Sequence, residues 1–160
     1  RKELRDEFKE TEGRPEVRAK IRERQRQVAM NQMMYAISDA DVVVTNPSHF
    51  AVALAYEPGS EKAPIVLAKG TDFIAATIKI KASESVVPIF EAPYLARALY
   101  FTTDLQNEIP VPLYRAVAEV IAYVYKLAEI QKDGDKPVKP KVEVPDTLLF
   151  DDLGNLEVRA

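Results

Sequence analysis

The sequence predicts a mixed α/β fold, in which a small mixed sheet of about four strands packs with helices and follows a long N-terminal helix. Four short runs of β-branched and apolar residues are bounded by turn-forming residues, as strands are. Four longer segments repeat apolar residues at helical spacing. The chain has 160 residues, of which 47% are hydrophobic and 29% charged. This length and composition suit one compact domain with a tail.

We expect the chain to have three parts. They are an N-terminal linker helix over 1–37, a central domain over 38–130 and a tail over 131–160. The tail is rich in proline and charge, with three prolines within 132–145, and such a composition does not build a core. Its apolar stretch 147–150 is nevertheless suited to docking on another surface.

The N-terminal helix is predicted to begin at Pro15, because proline is favoured at the first helical position. Its apolar stripe is thin, so its early turns should be solvent-exposed. Residues 14–26 carry six Lys or Arg and two Glu. Glu16 and Glu23 interrupt this positive charge and no aromatic residue lies among it, which argues against a nucleic-acid partner.

The central domain alternates predicted strands and helices. Strands are predicted at 41–45, 50–56, 64–68 and 86–90. Helices are predicted to begin near Asp72, Pro93 and Pro112, and the third carries a core-facing stripe of Leu113, Val117, Val120, Ile121, Val124 and Leu127. Because Pro88 lacks an N–H for the ladder, the fourth strand should lie at an edge of the sheet.

Several classes of site are excluded by composition. The chain contains no cysteine and one histidine, His49. Disulfides, thiol catalysis and metal sites built from cysteine or several histidines are therefore ruled out. The five glycines form neither a dinucleotide fingerprint nor a phosphate loop. We expect no metal and no cofactor.

Reactive groups concentrate in the turn Asn46–Pro47–Ser48–His49, between the first two predicted strands. Asn-Pro is first of all a turn signal, and a turn without chemistry is the simplest interpretation. Pro47 has no N–H, however, so its nitrogen cannot make the usual attack of a backbone nitrogen on the side chain of the preceding asparagine. The Asn46 side-chain nitrogen can instead attack its own main-chain carbonyl, close a succinimide ring and expel the Pro47 nitrogen.

Ser48 and His49 could assist this cleavage. An imidazole exchanges protons near neutral pH, and a hydroxyl can hydrogen-bond the turn or a developing oxyanion. Cleavage within about an hour needs a barrier of roughly 22 kcal/mol, whereas survival for a century needs roughly 30. The fold would have to remove about 8 kcal/mol, which orientation of an intramolecular reaction can supply. Such a reaction is a single turnover rather than the work of a turnover enzyme.

A Ser–His hydrolase is another interpretation of the same residues. Adjacent residues of a strand point to opposite faces, and no Asp follows at an evident orienting position. We therefore disfavour a relay through Ser48 and His49.

Five segments together resemble the cytoplasmic domain of the FlhB/YscU/SpaS family, the substrate-specificity switch proteins of flagellar and type III secretion export machines. They are FKETEGRPEVRAKIRERQRQ (8–27), ADVVVTNPSHFAVAL (40–54), APIVLAKGTDF (63–73), APYLARALY (92–100) and EIPVPLYRAVAEVIAYVY (108–125). They occur in family order, and the last looks more like the flagellar branch.

The resemblance implies that membrane helices precede this domain in the parent protein, which places it on the cytoplasmic face of the bacterial inner membrane. It implies self-cleavage between Asn46 and Pro47, with the pieces staying associated. Cleavage then permits the export gate to change from rod and hook substrates to filament substrates. The implied partners are the membrane and cytoplasmic components of the export apparatus, rod and hook substrates, and a hook-length-control protein.

The resemblance also implies two contact surfaces, each with an alternative. A docking surface for early substrates is expected around Ala63, Pro64, Ala118 and Ile121, while core packing is the alternative for the last two. Beside a membrane, residues 14–26 could contact anionic lipid, while a solvated helix face is the alternative. For the domain as a whole, an uncleaved docking module is the alternative to the self-cleaving switch.

Two residues depart from the family motif. Ser48 stands where threonine is usual, and Phe50 stands where tyrosine is common. Ser48 keeps the hydroxyl but lacks a methyl group, which predicts a looser turn and slower cleavage. Neither departure changes Asn46 or Pro47.

Overall fold

The computed structural model confirms the predicted mixed α/β class. It describes residues 13–47, 49–129 and 136–157. The chain divides into two compact units, Arg1–Tyr35 and Ala36–Ala160. The N-terminal helix belongs largely to the first unit, and the sheet belongs to the second.

Helix α1 (Pro15–Ala36) begins at Pro15, as predicted. Its Ile21 and Val28 side chains are 45% and 49% exposed, which agrees with a thin apolar stripe. A 3₁₀ turn over Ile37–Asp39 follows. In the described part of the chain, no helix combines the length and apolar character that crossing a membrane requires.

Four strands form one mixed sheet in the order β3–β2–β1–β4. Strands β1 (Val42–Asn46) and β2 (Phe50–Ala55) pair antiparallel, which confirms the predicted hairpin. Strand β3 (Ile65–Thr71) pairs antiparallel with β2, and the short β4 (Ile89–Glu91) pairs parallel with β1. Strand β1 is therefore paired on both sides.

Helices cover both faces of this sheet. Helix α2 (Asp72–Glu84) packs against β2 and β3. Helices α3 (Pro93–Thr102) and α4 (Tyr114–Glu129) share a core with the opposite face, which carries Val42, Val44, Val52 and Leu54. The predicted stripe of α4 is buried except at Leu127, which lies in the last turn and is 38% exposed.

Two element starts differ from the prediction by two residues or more. Strand β4 begins after Pro88 rather than around it, although its edge position is confirmed. The Pro88 carbonyl accepts a hydrogen bond from the Val43 N–H (2.9 Å), so the proline supplies an acceptor where it lacks a donor. Helix α4 begins at Tyr114, because a 3₁₀ turn over Val111–Leu113 precedes it.

The described part of the tail, 136–157, packs against the sheet unit. Its apolar stretch docks as the sequence suggested: Leu149 is 1% exposed, and the ring of Phe150 lies 5.4 Å from that of Phe101. A segment unsuited to a core of its own thus adds side chains to the core formed by the domain.

Candidate functional site

The turn at Asn46 connects β1 to β2 at one end of the hairpin. Asn46 is the last residue of β1 and pairs with Phe50, the first residue of β2. The two strands therefore hold Asn46, Pro47 and His49 close together. Ser48 lies outside the described residues, and the role of its hydroxyl stays a prediction.

Asn46 is held at both its backbone and its side chain. The residue is 9% exposed and lies on the face of β1 that carries Val44. Its carbonyl oxygen accepts a hydrogen bond from the His49 N–H (3.1 Å). Its side-chain nitrogen Nδ2 donates a long hydrogen bond to Oδ1 of Asp152 (3.5 Å). In the predicted cyclisation Nδ2 would attack this carbonyl, so the attacking nitrogen and the carbonyl oxygen both have hydrogen-bond partners.

His49 is positioned by Asp72, the first residue of α2. The Asp72 N–H donates to the His49 carbonyl (3.1 Å), and the Asp72 Oδ1 lies 3.6 Å from Nδ1 of the imidazole. The sequence shows no Asp at an evident orienting position, and the structure brings Asp72, 23 positions further along the chain, next to the imidazole. The pairing of Phe50 with Thr71 brings α2 to the turn, and this register cannot be deduced from the sequence. Both side chains are more than half exposed, so solvent screens the pair.

A groove of about 490 Å³ lies near the other end of the hairpin, where β2 leads to Tyr56. The four residues predicted to dock substrates all line it: Ala63, Pro64, Ala118 and Ile121. Ile121 is 5% exposed and belongs to the core, whereas Ala118 is exposed on the groove surface. At about 3.3 Å per residue, the six residues of β2 separate the turn from the groove by roughly 20 Å.

Asp41, immediately before β1, connects two residues that line this groove. Its carboxylate accepts hydrogen bonds from the Tyr56 N–H (2.7 Å) and the Tyr125 hydroxyl (3.1 Å). Burial raises the pKa of Tyr125, and the negative charge of Asp41 raises this pKa further. The Tyr125 hydroxyl therefore remains a donor at neutral pH.

Comparison with known proteins identifies the family. A model described as the FlhB HrpN YscU SpaS family matches residues 1–124. The chain belongs to this family. It is 47% identical over 152 residues to the flagellar biosynthetic protein FlhB of Salmonella typhimurium, an alignment that covers 94% of this chain and 40% of that protein. The chain thus spans well under half the length of this FlhB relative.

Two solved structures share the fold. The cytoplasmic domain of FlhB from Shewanella putrefaciens matches with a TM-score of 0.70 and 44% identity, covering 76% of this chain and 95% of that domain. A mutated EscU C-terminal domain matches with a TM-score of 0.55 and 29% identity, covering 57% of this chain and 92% of that domain.

Three side chains near the turn at Asn46 were not predicted from the sequence: Asp72, Arg97 and Asp152. Asp152 is separated from Asn46 by 106 positions and lies in the tail, so no local pattern connects them. Arg97 did leave a signal, because it is a charged residue inside the apolar run of α3 and is 8% exposed. Across the described residues, no three side chains of the histidine, aspartate or glutamate type converge as a metal site requires.

Proposed function

We propose that this chain is the cytoplasmic switch domain of a flagellar type III protein export apparatus, and that it cleaves itself between Asn46 and Pro47. The fragments stay associated, and the cut permits the change from rod and hook substrates to filament substrates. Membership of the FlhB/HrpN/YscU/SpaS family and the likeness to flagellar FlhB proteins support the export role.

The hydrogen bond from the His49 N–H to the Asn46 carbonyl is the observation that carries the cleavage proposal. When Nδ2 attacks this carbonyl carbon, negative charge develops on the oxygen that already accepts the bond. A donor fixed in advance stabilises such charge without reorganisation. The strands on either side and the Asp72 N–H hold His49 in place, so the turn cannot relax as it would in a peptide.

The reaction needs no second substrate. The bond from Nδ2 to the Asn46 carbonyl carbon forms, and the bond from that carbon to the Pro47 nitrogen breaks. One Nδ2 proton is lost, and the departing proline nitrogen gains one. The products are an N-terminal fragment ending in a succinimide and a C-terminal fragment beginning at Pro47.

Mass spectrometry of the incubated full chain tests this proposal. We expect two fragments that divide at Asn46–Pro47, and the freshly formed N-terminal fragment should be lighter by one water than its free acid. Asn46→Ala should remain intact, whereas the control Asn107→Ala, which removes an asparagine elsewhere in the same unit, should cleave like the wild type. A folded wild-type chain that persists at full mass contradicts the proposal. Ser48→Ala distinguishes a hydrolase, because cyclisation should survive this change and a serine nucleophile should not.

A docking module is a second candidate function, and the groove beside Ala118 favours it. Its exposed, largely apolar lining is suited to an apolar segment of an exported rod or hook protein. Ala118→Asp should weaken calorimetric binding of such a protein, while Ala128→Asp, on an exposed position of the same helix, should not. If Asn46→Ala binds normally but abolishes the change of substrate, both functions belong to this domain.

The parent protein's location and its other partners belong to the same proposal. We place the domain on the cytoplasmic face of the inner membrane, in contact with membrane and cytoplasmic export components and a hook-length-control protein. The exposed Lys and Arg side chains of 14–26 would face anionic lipid. Sedimentation with phosphatidylglycerol vesicles, but not with phosphatidylcholine vesicles, should occur at low salt and decline as salt is added.

A further inference from the structure

The nucleophile in the proposed cleavage, Nδ2 of Asn46, is weak, so the site needs a group that accepts a proton from it. The lone pair of an amide nitrogen is delocalised into its own carbonyl, so Nδ2 of Asn46 attacks efficiently only while it loses a proton. A hydrogen-bond acceptor aimed at Nδ2 supplies this assistance and also fixes the direction of attack. A carboxylate is a stronger acceptor than a neutral group.

Asp152 provides such an acceptor. Its Oδ1 lies 3.5 Å from Nδ2 of Asn46. Hydrogen bonds between catalytic groups are often long in a resting protein and shorten as the reaction proceeds. The side chain of Asp152 is 56% exposed, so water reaches its carboxylate.

A short C-terminal hairpin, residues 149–157, holds Asp152 at this place. Phe150 and Leu156 form a β-bridge, and the Glu157 N–H donates to the Leu149 carbonyl (2.7 Å). At the tip of the hairpin, Gly154 has a φ of +85°. The buried Leu149 anchors this hairpin to the domain, so Asp152 belongs to a defined structure rather than to a loose tail.

Arg97 of α3 joins this hairpin to the reacting residue. Its Nε donates to the Phe150 carbonyl (2.6 Å), and its Nη1 lies 3.6 Å from the same Asp152 oxygen that accepts from Asn46. Arg97 also lies over the ring of Tyr94 at 4.6 Å, and the Tyr94 hydroxyl donates to Glu157 (2.8 Å). A buried cation thus has two partners in the hairpin, one of which is the carboxylate beside Nδ2.

We propose that Asp152 is a catalytic residue of the self-cleavage, accepting a proton from Nδ2 of Asn46 as this nitrogen attacks, and that Arg97 is the residue that positions it. This inference rests on the proposed function. The Nδ2–carbon bond forms as the bond from carbon to the Pro47 nitrogen breaks. Asp152 takes one proton from Nδ2, and the proline nitrogen takes one from water as it leaves. Asp152 then returns its proton to water, so no net proton is consumed or released.

The cleavage rate of full-length Asp152→Asn tests the role of the carboxylate. This change keeps the size of the side chain and removes its negative charge, so we expect cleavage about 10²-fold slower at an unchanged melting temperature. Glu143→Gln is the matched control, because it removes one exposed carboxylate from the same tail. It should cleave at the wild-type rate.

Chemical rescue separates a chemical role from a structural one. Asp152→Ala should also be slow, and added formate should restore part of its rate, since a small carboxylate can enter the space that the exposed side chain leaves. Formate should not accelerate the wild type or Glu143→Gln. Slow variants that formate fails to rescue would show that Asp152 only braces the hairpin, and this result overturns the inference.

Two further outcomes are distinguishable. If the wild type cleaves and Asp152→Asn cleaves at the same rate, the role of Asp152 is refuted and the proposed function stands. If the folded wild type does not cleave at all, both the proposed self-cleavage and this inference are refuted.

Discussion

Tyr125 shows at the scale of one residue how the fold changes the chemistry of a side chain. Its phenol donates to Asp41, and burial holds its pKa above the ordinary value of 10.0. The folded chain therefore keeps this proton at a pH where the unfolded chain has begun to lose it. The stabilising effect is complete below the ordinary pKa, and stability falls as the pH rises above it.

Tyr125→Phe should remove this alkaline sensitivity. We expect its stability to fall less steeply than that of the wild type between roughly pH 9 and 11, and to be lower by about 1 kcal/mol at neutral pH because a hydrogen bond is lost. Urea unfolding at each pH measures both effects, with Tyr114→Phe as the control. Burial lowers the pKa of Lys69, which acts in the opposite sense but equally in all three proteins. Equal slopes for Tyr125→Phe and the wild type would contradict the prediction.

The residues of the candidate site differ in how far the sequence could predict them. Asn46, Pro47 and His49 were predicted because their chemistry depends on adjacency, and adjacency can be read from the chain. Asp72 and Asp152 could not be predicted, since their positions depend on strand register and on the docking of a distant hairpin. Residues that are adjacent in the chain can therefore be identified from the sequence, whereas the distant residues that contact them can be identified only from the fold.

At the scale of an element, the end of α2 carries an avoidable strain. Val87 N–H donates to the Ala82 carbonyl and Val86 N–H to the Ser83 carbonyl, which is the hydrogen-bond pattern of a Schellman cap. Val86 occupies its left-handed position with a φ of +59°, where glycine is preferred and a β-branched residue is strained. Its side chain is 88% exposed and packs against little.

Val86→Gly should therefore stabilise the protein. Relief of the left-handed strain exceeds the backbone entropy that glycine loses on folding, and we expect a gain of about 1 kcal/mol and a rise in Tm of roughly 2–6 °C. Val138→Gly changes a valine that is 90% exposed and has no positive φ, so it should bring no gain. A lower Tm for Val86→Gly in calorimetry would refute this account of the cap.

Two glycines allow a comparison that concerns the C-terminal hairpin. Gly154 and Gly59 have φ values of +85° and +79°, so alanine is strained at both. A Cβ at Gly154 would also lie 2.9 Å from the Phe101 ring, whereas nothing lies within 4 Å of one at Gly59. Gly154→Ala should therefore raise hydrogen exchange at the Asp151 and Glu157 amides, and Gly59→Ala should not. Equal protection in both variants would mean that the fit against Phe101 does not hold the hairpin.

Elements with a strong periodic pattern were the ones that the sequence predicted well. The stripe of α4 and the start of α1 at Pro15 follow from spacing and from the chemistry of proline. The position of strand β4 was predicted less well, because its three residues are too few to show a period and its position depends on pairing with β1. The position of a short strand depends on the strands with which it pairs, and this pairing cannot be read from the sequence.

At the scale of the whole molecule, the sheet separates the turn proposed to cleave from the groove proposed to dock substrates. The turn at Asn46 and the groove beside Ala118 lie near opposite ends of β2, and the hairpin between them is registered over five residue pairs. A cut in the turn leaves these pairs in place. Cleavage should therefore change the structure around Pro47 while the groove keeps its shape. If cleavage changes which substrates are exported, it should do so through the altered turn and not through the groove.

The cleaved protein should remain one particle. The N-terminal fragment supplies β1, which pairs with β2 on one side and β4 on the other, and its Val42, Val43 and Val44 are fully buried. Each of these side chains contributes roughly 1.5–3 kcal/mol by burial, and the ladder bonds also survive the cut. The two fragments should co-elute under native conditions and separate in denaturant.

Concentration distinguishes a cut chain from an intact one. Unfolding of the cleaved protein releases two chains, so its Tm should rise with protein concentration. Asn46→Ala unfolds as one chain, and its Tm should be independent of concentration. Calorimetry of both proteins over about a hundredfold range of concentration measures the difference. A cleaved protein whose Tm does not vary, or whose fragments elute apart before any denaturant is added, would show that β1 is not retained by the sheet.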